Sequence, residues 1–293
     1  MGDNGLVTID WGTTNRRIFL LDAEGAVVRR EADSQGVTAI PAGGFPDEMK
    51  RLRDRFGDVL FLLAGMIGSN RGWVEAPYAR CPVTFESLRE SLLWVEPGRT
   101  AIVPGACVDA GRTDVMRGEE VQLLGAVAAG LVARDALLCL PGTHAKWARV
   151  VDGVVTDFRT VMTGEMFALL RNHSLLAPQL SCDVAAGDAF RDGVRCGLAD
   201  DALLSNLFGT RARILLGRLD PADAASYVSG LLLGADLRIG LDGAPRDQVG
   251  LIGDPALTHL YGAALDEAGR THQEVDGEQA FLAGMAVLAE GIR

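Results

Sequence analysis

Short apolar runs recur along the first part of the chain, and glycine-rich turns follow them. Residues 6–9 and 18–21 have the β-branched and aromatic composition of buried strands, and 27–31 predicts a third strand. The apolar residues of 46–56 recur at helical spacing, and 59–63 predicts another buried strand. This mixture of strands and helices is typical of an α/β protein.

Further along, the pattern becomes more helical. Thr84 predicts the start of a helix that runs to residue 93, and 119–133 carries apolar residues on one face and small residues elsewhere. Because small residues allow helices to approach closely, the second helix suits a crossing between two domains, 1–112 and 113–293. The other predicted elements are strands at 101–103, 137–140, 147–151, 154–158 and 249–252, helices within 188–240, and a helix over 277–284.

Two glycine-threonine turns join predicted strands, one in each half of the chain. Gly12, Thr13 and Thr14 form the first turn, and Gly142 and Thr143 form the second. Glycine lets backbone N–H groups approach an anion, and threonine hydroxyls add donors. Taken alone, either glycine-threonine turn could instead be an ordinary polar turn between two strands, with no role in phosphate binding. The repeated order of strand, turn and strand predicts a duplicated fold whose halves hold phosphate in a shared cleft.

The composition restricts the function classes. The chain has 293 residues, 48% of them hydrophobic, and a net charge of −11. A general negative field repels polyanions, so neither nucleic acid nor an anionic membrane is expected as a partner. An anionic substrate therefore requires a local basic site. The apolar runs are shorter than the ~20 residues that span a bilayer.

Cysteine usage and the first residues indicate a cytoplasmic protein. The five cysteines have no Cys-x-x-Cys spacing and are expected to be reduced thiols: Cys81, Cys107, Cys139, Cys182 and Cys196. Residues 1–5 lack the basic and then apolar order of a signal peptide. The histidines His173, His259 and His272 show no metal-ligand spacing, so we predict no zinc site.

Polar residues with the chemistry of phosphoryl transfer follow two of the predicted strands. Asp10 could hold Mg²⁺ against phosphate oxygens, or it could only cap a turn. Lys146 could reach phosphate or lie on the outer face of its strand. After the 59–63 strand, residues 70–75 combine an amide, a cation, an aromatic ring and a carboxylate in one loop, although Arg71 and Glu75 could form only a surface ion pair.

Several of these segments resemble known families. Residues 10–17 and 140–146 resemble the two phosphate motifs of the sugar kinase/hexokinase/actin/Hsp70 superfamily. Residues 65–78, 116–120 and 162–165 are similar to segments of 2-dehydro-3-deoxygalactonokinases, and the resemblance extends over 6–284. It implies two ribonuclease-H-like (actin-like ATPase) α/β domains flanking a nucleotide cleft. The first domain would hold the sugar-acid loop and the second the nucleotide-binding segments, with the last helix packing back toward the first.

The resemblance also implies an activity and a set of site residues. ATP and Mg²⁺ would serve transfer to the 6-hydroxyl of 2-dehydro-3-deoxy-D-galactonate, in galactonate breakdown. Asp10 would bind the metal and Glu119 would act as the base, with Glu120 or Glu165 as alternatives because many relatives use aspartate here. Nucleotide contacts are expected from Gly12, Thr13, Thr14, Arg17, Gly142, Thr143, Lys146 and Gly253, and sugar-acid contacts from Asn15, Asn70, Arg71, Trp73, Glu75, Thr163 and Glu165.

Three questions stay open at this point. A non-catalytic nucleotide switch of the actin or Hsp70 kind, a phosphatase of the same superfamily, and a kinase for another sugar or sugar acid are the alternative functions. The side chain of His144 could donate to phosphate or could be solvated. A homodimer is an open expectation.

Overall fold

The computed structural model describes residues 5–244 and 248–292, and the chain forms two compact units. The first unit comprises Met1–Arg134, Val150–Asp157 and Glu278–Arg293, and the second comprises Asp135–Arg149 and Phe158–Gly277. The two domains predicted from the sequence, 1–112 and 113–293, stay a prediction.

A six-stranded sheet is the larger sheet of the first unit. Strand β1 (Leu6–Trp11) pairs antiparallel with β2 (Arg16–Leu21), and β2 pairs antiparallel with β3 (Val27–Asp33). On its other side, β1 pairs parallel with β4 (Leu60–Gly65). The four strands predicted in this part of the chain are confirmed.

Helix α1 (Phe45–Phe56) packs on this sheet. Its side chains Met49 and Leu52 share an apolar core with residues of β1 and β4. Pro46 lies in the first turn, where a missing N–H costs no intrahelical hydrogen bond. The helix predicted over 46–56 is confirmed.

Helix α2 (Phe85–Glu90) is shorter than the predicted helix, so the prediction beyond residue 90 is wrong. Thr84 does cap it: the Ser87 N–H donates to the Thr84 hydroxyl at 3.1 Å, and the Thr84 N–H donates to the Ser87 hydroxyl at 3.0 Å. Leu93 instead begins β6 (Leu93–Glu96), because it packs against the core of the sheet. With β7 (Thr100–Ile102), the strand order is β3-β2-β1-β4-β7-β6.

A second sheet in this unit has three strands. Its order is β5-β8-β9, formed by β5 (Tyr78–Arg80), β8 (Gly105–Ala110) and β9 (Arg112–Met116). The hairpin of β8 and β9 was not predicted. Gly111 makes its turn with a φ of 78°, a conformation that favours glycine.

Helix α3 (Glu119–Ala128) begins where predicted but ends earlier, before Gly130 with its φ of 67°. It meets helix α9 (Gly277–Glu290) through glycines. A Cβ at Gly125 would lie 2.0 Å from the carbonyl oxygen of Ala280, and a Cβ at Gly284 would lie 2.3 Å from that of Val121. The two backbones are therefore in direct contact.

The third sheet has five strands in the order β12-β11-β10-β13-β14. The strands predicted within it are confirmed, whereas the last one in the chain was not predicted. Their bounds are β10 (Ala136–Leu140), β11 (Ala145–Val151), β12 (Val154–Val161), β13 (Val249–Gly253) and β14 (His272–Asp276).

Five helices accompany this sheet in the described part of the second unit. They are α4 (Thr163–His173), α5 (Asp188–Ala199), α6 (Leu203–Leu215), α7 (Ala224–Gly240) and α8 (Pro255–Glu267). The helical prediction for 188–240 is confirmed. Among the described residues, no helix has both the length and the apolar character needed to cross a membrane.

Candidate active site

The turn between β1 and β2 is exposed and held from behind by the chain after β3. The N–H groups of residues 36–38 donate to the carbonyls of residues 12–14 at 3.0 to 3.2 Å. A Cβ at Gly36 would lie 2.4 Å from the carbonyl oxygen of Thr13, so this approach requires glycine. In the described part of the chain, the backbone N–H groups of Thr13 and Thr14 make no hydrogen bond. Free N–H groups in such a turn can bind phosphate oxygens.

The residues that follow this turn have different surroundings. Asn15 is exposed, and its side-chain amide donates to the Thr14 hydroxyl at 3.3 Å. Arg16 is buried and pairs with Asp33 at 2.9 Å and Glu48 at 2.7 Å. Arg16 therefore supports the hairpin from inside, whereas Asn15 faces solvent.

Asp10 and Arg17 face each other across β1 and β2. Arg17 Nη2 lies 2.5 Å from Asp10 Oδ2, and both side chains are partly exposed. Arg17, predicted to contact the nucleotide, thus has a carboxylate partner within its own hairpin. Only Oδ2 of Asp10 takes part in this ion pair.

Two glycines bring the start of α3 next to the ends of β1 and β4. Gly65 has a φ of 91°, and a Cβ there would lie 2.9 Å from the carbonyl oxygen of Trp11 and 3.4 Å from Oδ1 of Asp10. Gly118 has a φ of 106°, and a Cβ there would lie 3.2 Å from Cα of Gly65. The structure therefore brings Glu119, which follows Gly118, into the neighbourhood of Asp10.

The two acidic residues that begin α3 differ in burial. Glu119 is partly exposed, and its Oε2 accepts from the N–H of Arg117 at 2.9 Å. Glu120 is fully buried, and its carboxylate oxygens accept from the N–H of Gly118 at 2.9 and 2.8 Å. Burial, together with the negative charge of Glu119, raises the pKa of Glu120 to about 8. Glu120 is therefore mostly protonated near pH 7, which disfavours it as a proton acceptor.

The loop after β4 is fixed by its own backbone. The Trp73 N–H donates to the carbonyl of Ile67 at 2.8 Å, and the Ala76 N–H donates to that of Gly68 at 2.9 Å. A Cβ at Gly72 would lie 2.1 Å from the Ile67 carbonyl oxygen. The loop conformation is thus closed at both ends by main-chain bonds.

The polar side chains of this loop point outward. Asn70, Arg71 and Glu75 are exposed. Within the described residues, Arg71 and Glu75 form no ion pair with each other, so the surface-pair alternative lacks support. Trp73 differs, because its ring stacks on Phe45 at a centroid distance of 6.3 Å.

The turn between β10 and β11 repeats the main feature of the first turn. Among the residues described, the backbone N–H groups of Gly142 and Thr143 make no hydrogen bond. The first turn of α4 lies against it: a Cβ at Gly164 would lie 2.5 Å from the Gly142 carbonyl oxygen, and the Glu165 N–H donates to the Thr143 carbonyl at 3.0 Å.

Three further residues lie around this second turn: two predicted nucleotide contacts and one histidine whose role the sequence left undecided. Lys146 is only 4% exposed, so it is not on a solvent-facing side of its strand, and its Nζ donates to the carbonyl of His144 at 3.1 Å. The His144 Nε2 lies 2.5 Å from Oε2 of Glu165. A Cβ at Gly253 would lie 3.7 Å from the carbonyl oxygen of Pro141.

A buried carboxylate supports the first turn of α4. Asp236 accepts hydrogen bonds from the Trp147 indole and the Thr163 hydroxyl, both at 2.6 Å, and from the Tyr261 hydroxyl. Burial raises the pKa of Asp236, and the three donors oppose this effect. Thr163 was predicted to contact the sugar acid, but its hydroxyl donates to Asp236 inside the unit, and the contact stays a prediction.

Two residues beside these groups were not predicted, Asp236 and Arg117. An acidic residue among the apolar positions of α7 was the available signal for Asp236. Arg117 belongs to the motif 116–120, and its position directly before the acidic pair was the available signal.

The comparisons with known proteins cover nearly the whole chain. The family model described as 2-keto-3-deoxy-galactonokinase matches residues 10–288. The 2-dehydro-3-deoxygalactonokinase of Escherichia coli (strain K12) is 37% identical over 292 residues, 98% of each chain. A crystal structure of a Sinorhizobium meliloti protein assigned as a 2-dehydro-3-deoxygalactonokinase has a TM-score of 0.91 and 35% identity, over 98% of this chain and 99% of that one.

A more distant neighbour bears on the fold alone. The activator of the 2-hydroxyisocaproyl-CoA dehydratase from Clostridium difficile, solved with bound ADPNP, has a TM-score of 0.51 at 11% identity, over 98% of this chain and 95% of that one. The predicted α/β fold of the actin-like ATPase class is confirmed. From the match over residues 10–288 and the relatives at 35% and 37% identity, the chain belongs to the 2-keto-3-deoxy-galactonokinase family.

Proposed function

We propose that the protein is an ATP-dependent kinase that phosphorylates the 6-hydroxyl of 2-dehydro-3-deoxy-D-galactonate in galactonate breakdown. The product is 2-dehydro-3-deoxy-6-phosphogalactonate. Family membership over residues 10–288 is the observation that carries this proposal. The exposed glycine-threonine turns and the carboxylate at the start of α3 support it, because phosphoryl transfer needs groups that hold phosphate and orient the acceptor.

Phosphate binding falls to the two turns. The free N–H groups of Thr13 and Thr14 in the first unit, and of Gly142 and Thr143 in the second, donate to phosphate oxygens without first breaking an internal hydrogen bond. Gly12 keeps the first turn tight, and the other nucleotide contacts are assigned to Arg17, Lys146 and Gly253.

The residues around Asp10 fit Mg²⁺. Arg17 pairs with Oδ2 of Asp10, which leaves Oδ1 available as a ligand. No group of three or more acidic, histidine or cysteine side chains suited to a metal occurs in the described residues, and Mg²⁺ in kinases commonly uses one or two carboxylates together with water and phosphate. When bound, the ion would neutralise charge on the phosphates.

Asp10→Asn tests this assignment. The amide keeps the size of the side chain but binds a hard cation weakly, so turnover should fall at least ~100-fold while the protein stays folded. Turnover measured against Mg²⁺ concentration checks it. Near-normal turnover at saturating Mg²⁺ would contradict the role of Asp10.

Glu119 is the proposed base. Its carboxylate lies at the amino end of α3, is partly exposed, and follows Gly118, which packs against Gly65 at the end of β4. The 6-hydroxyl of the sugar acid gives its proton to Glu119 as the oxygen attacks the γ-phosphate, and ADP leaves with the electrons of the broken bond.

The loop after β4 is the proposed sugar-acid site. In a chain with a net charge of −11, an anionic acceptor needs a local cation, and Arg71 is exposed on this loop. Asn70, Trp73 and Glu75 supply hydrogen bonds and a ring face. Further contacts are assigned to Asn15, Thr163 and Glu165.

An assay of ADP release with a panel of acceptors tests the function. ADP release should depend on 2-dehydro-3-deoxy-D-galactonate and exceed that with its gluconate epimer and with neutral sugars. Release of ADP without any acceptor would instead support a nucleotide switch. Release of inorganic phosphate from sugar phosphates would support a phosphatase.

A further inference from the structure

Arg117 contacts both the loop after β4 and the proposed base. Its Nη2 donates to the carbonyl of Ala76 at 2.8 Å, at the residue whose N–H closes the loop onto Gly68. Its guanidinium carbon lies 4.3 Å from the centre of the Tyr78 ring, within the range of a cation–π contact. Its backbone N–H donates to Glu119 at 2.9 Å.

The guanidinium of Arg117 is partly buried and makes no hydrogen bond to a carboxylate among the described residues, although its charge opposes the rise in the pKa of Glu120. Its Nε and Nη1 are buried and have no hydrogen-bond partner within the described residues. A Cβ at Gly68 would lie 2.9 Å from Nη1, so glycine at this position makes room for the cation. In the part of the chain that the structure describes, Arg117 forms no ion pair.

A partly buried guanidinium that forms no ion pair among the described residues is costly to keep, and packing alone is achieved at lower cost by an apolar side chain of similar volume. Retained beside the loop, the charge creates a positive potential in a chain whose net charge is −11. The hydrogen bond to Ala76 also fixes the end of the loop that carries Arg71 and Glu75.

We propose that Arg117 is a positioning residue that fixes the sugar-acid loop and makes it selective for an anionic acceptor. This inference rests on the proposed function. The property of the acceptor that Arg117 favours is the negative charge of the sugar acid. The proposed nucleotide contacts do not include this loop, so KM for ATP should be insensitive to Arg117.

Arg117→Gln and Arg117→Lys test the inference. Gln keeps a donor but removes the charge, so KM for the sugar acid should rise by ~10-fold or more, while KM for ATP changes by less than ~2-fold. Lys keeps the charge and should recover part of this loss. Arg71→Ala, which removes a cation from the loop itself, should show the same preference for the sugar-acid KM.

Arg80→Met is the matched control. The Arg80 side chain is 76% exposed and pairs with Asp109 on the three-stranded sheet, so its loss should leave both KM values unchanged. If the wild-type protein phosphorylates the sugar acid and Arg117→Gln has the KM values of this control, the inference is wrong and the proposed function stands. Equal rises in both KM values would also overturn it, since they indicate general destabilisation.

Hydrogen exchange gives a readout that needs no turnover. The amides of Trp73 and Ala76 should exchange faster in both Arg117 variants, with the amides of α1 unchanged. If Arg117→Gln fails to fold, Arg117→Lys carries the test, because lysine lacks the planar guanidinium that donates to the Ala76 carbonyl and lies over the Tyr78 ring. Unchanged exchange and an unchanged sugar-acid KM in that variant would overturn the inference. A wild-type protein that releases no ADP with any sugar acid would contradict the proposed function instead.

Discussion

The neighbouring carboxylates Glu119 and Glu120 show how one step along a helix changes the chemistry of a residue. Successive residues point about 100° apart around an α-helix. That rotation leaves Glu119 partly exposed and places Glu120 in the interior, where its pKa rises to about 8. Near neutral pH the Glu120 carboxyl is therefore mostly protonated.

The first prediction concerns the identity of the base. Glu119→Gln keeps the size of the side chain but cannot accept a proton, so kcat should fall by ~100-fold or more with little change in ATP binding. Steady-state kinetics and nucleotide titration check this. Glu165→Gln is the comparison, since Glu165 lies beside the second turn and contacts His144. If Glu119→Gln keeps its turnover while Glu120→Gln or Glu165→Gln abolishes it in a folded protein, the assignment of the base is wrong.

The second prediction concerns Glu120 and pH. Its pKa in the folded protein is raised above the ordinary value of 4.5. Protonated Glu120 therefore stabilises the fold below pH 4.5, and this contribution is lost as pH rises toward about 8. Each pKa unit corresponds to about 1.4 kcal/mol, so the loss should amount to a few kcal/mol. Glutamine cannot ionise, so Glu120→Gln should remove this pH-dependent loss of stability.

Urea unfolding of both proteins at pH 5 and pH 8 measures this difference. The free energy of unfolding of the wild type should fall relative to the variant between these two values. Parallel pH dependence in the two proteins would show that Glu120 is ionised throughout or protonated throughout.

Sequence reasoning proposed exposed candidate residues more readily than buried ones. Asp10 and the two glycine-threonine turns follow from residue type and position in a hairpin, because a turn between strands is exposed by construction. The roles of Arg117 and Asp236 depend on contacts between residues 41 and 89 positions apart, such as the bond from Arg117 to Ala76 and that from Trp147 to Asp236. No local pattern encodes such contacts.

At the scale of elements, glycines determine how closely helices and strands approach. The contact of α3 with α9 at Gly125 and Gly284 places backbone against backbone. Local periodicity predicted that both helices exist but not that they meet, since nothing local links residues so far apart in sequence. The same limit explains why the helix predicted to reach residue 93 ends at Glu90. Leu93 packs against the core of the sheet and begins a strand, which its local spacing did not indicate.

The third prediction tests this helix contact. Gly125→Ala would place a Cβ 2.0 Å from the Ala280 carbonyl oxygen, so the helices must separate, and the free energy of unfolding should fall by about 1–3 kcal/mol. Gly209→Ala in α6 is the control, because a Cβ there has no neighbour within 4 Å. The control should be stabilised by up to about 1 kcal/mol, as expected for alanine within a helix. Equal changes in the free energy of unfolding for Gly125→Ala and Gly209→Ala would mean that the close approach of the helices at Gly125 does not contribute to stability.

At the scale of the whole chain, the first unit depends on both ends of the sequence. Phe281 on α9 contacts Phe19 on β2 at a ring-centroid distance of 6.1 Å, and Met285 and Leu288 are fully buried. Arg89 donates to the carbonyl of Val287 at 2.6 Å. The last helix is therefore part of the core of this unit.

The fourth prediction follows from this arrangement. Deleting residues 277–293 removes the buried side chains Phe281, Met285 and Leu288 and exposes the apolar groups they cover. Burial of each such side chain stabilises the folded state by about 1.5–3 kcal/mol. Because a domain has only about 5–15 kcal/mol of stability, the first unit should become sensitive to limited proteolysis while the second stays resistant. Deletion of residues 291–293 alone is the control. Equal resistance in the two truncated proteins would contradict the importance of α9.

The position of α9 in the first unit also has a consequence during synthesis of the protein. The ribosome makes Arg134 long before Glu278, and at roughly 5–20 residues per second the intervening segment takes on the order of 10 s. Throughout that interval, the nascent first unit exposes the apolar surface that Phe281 will later cover. A chaperone that binds apolar segments on the ribosome would therefore bind the first unit during the interval before α9 is made.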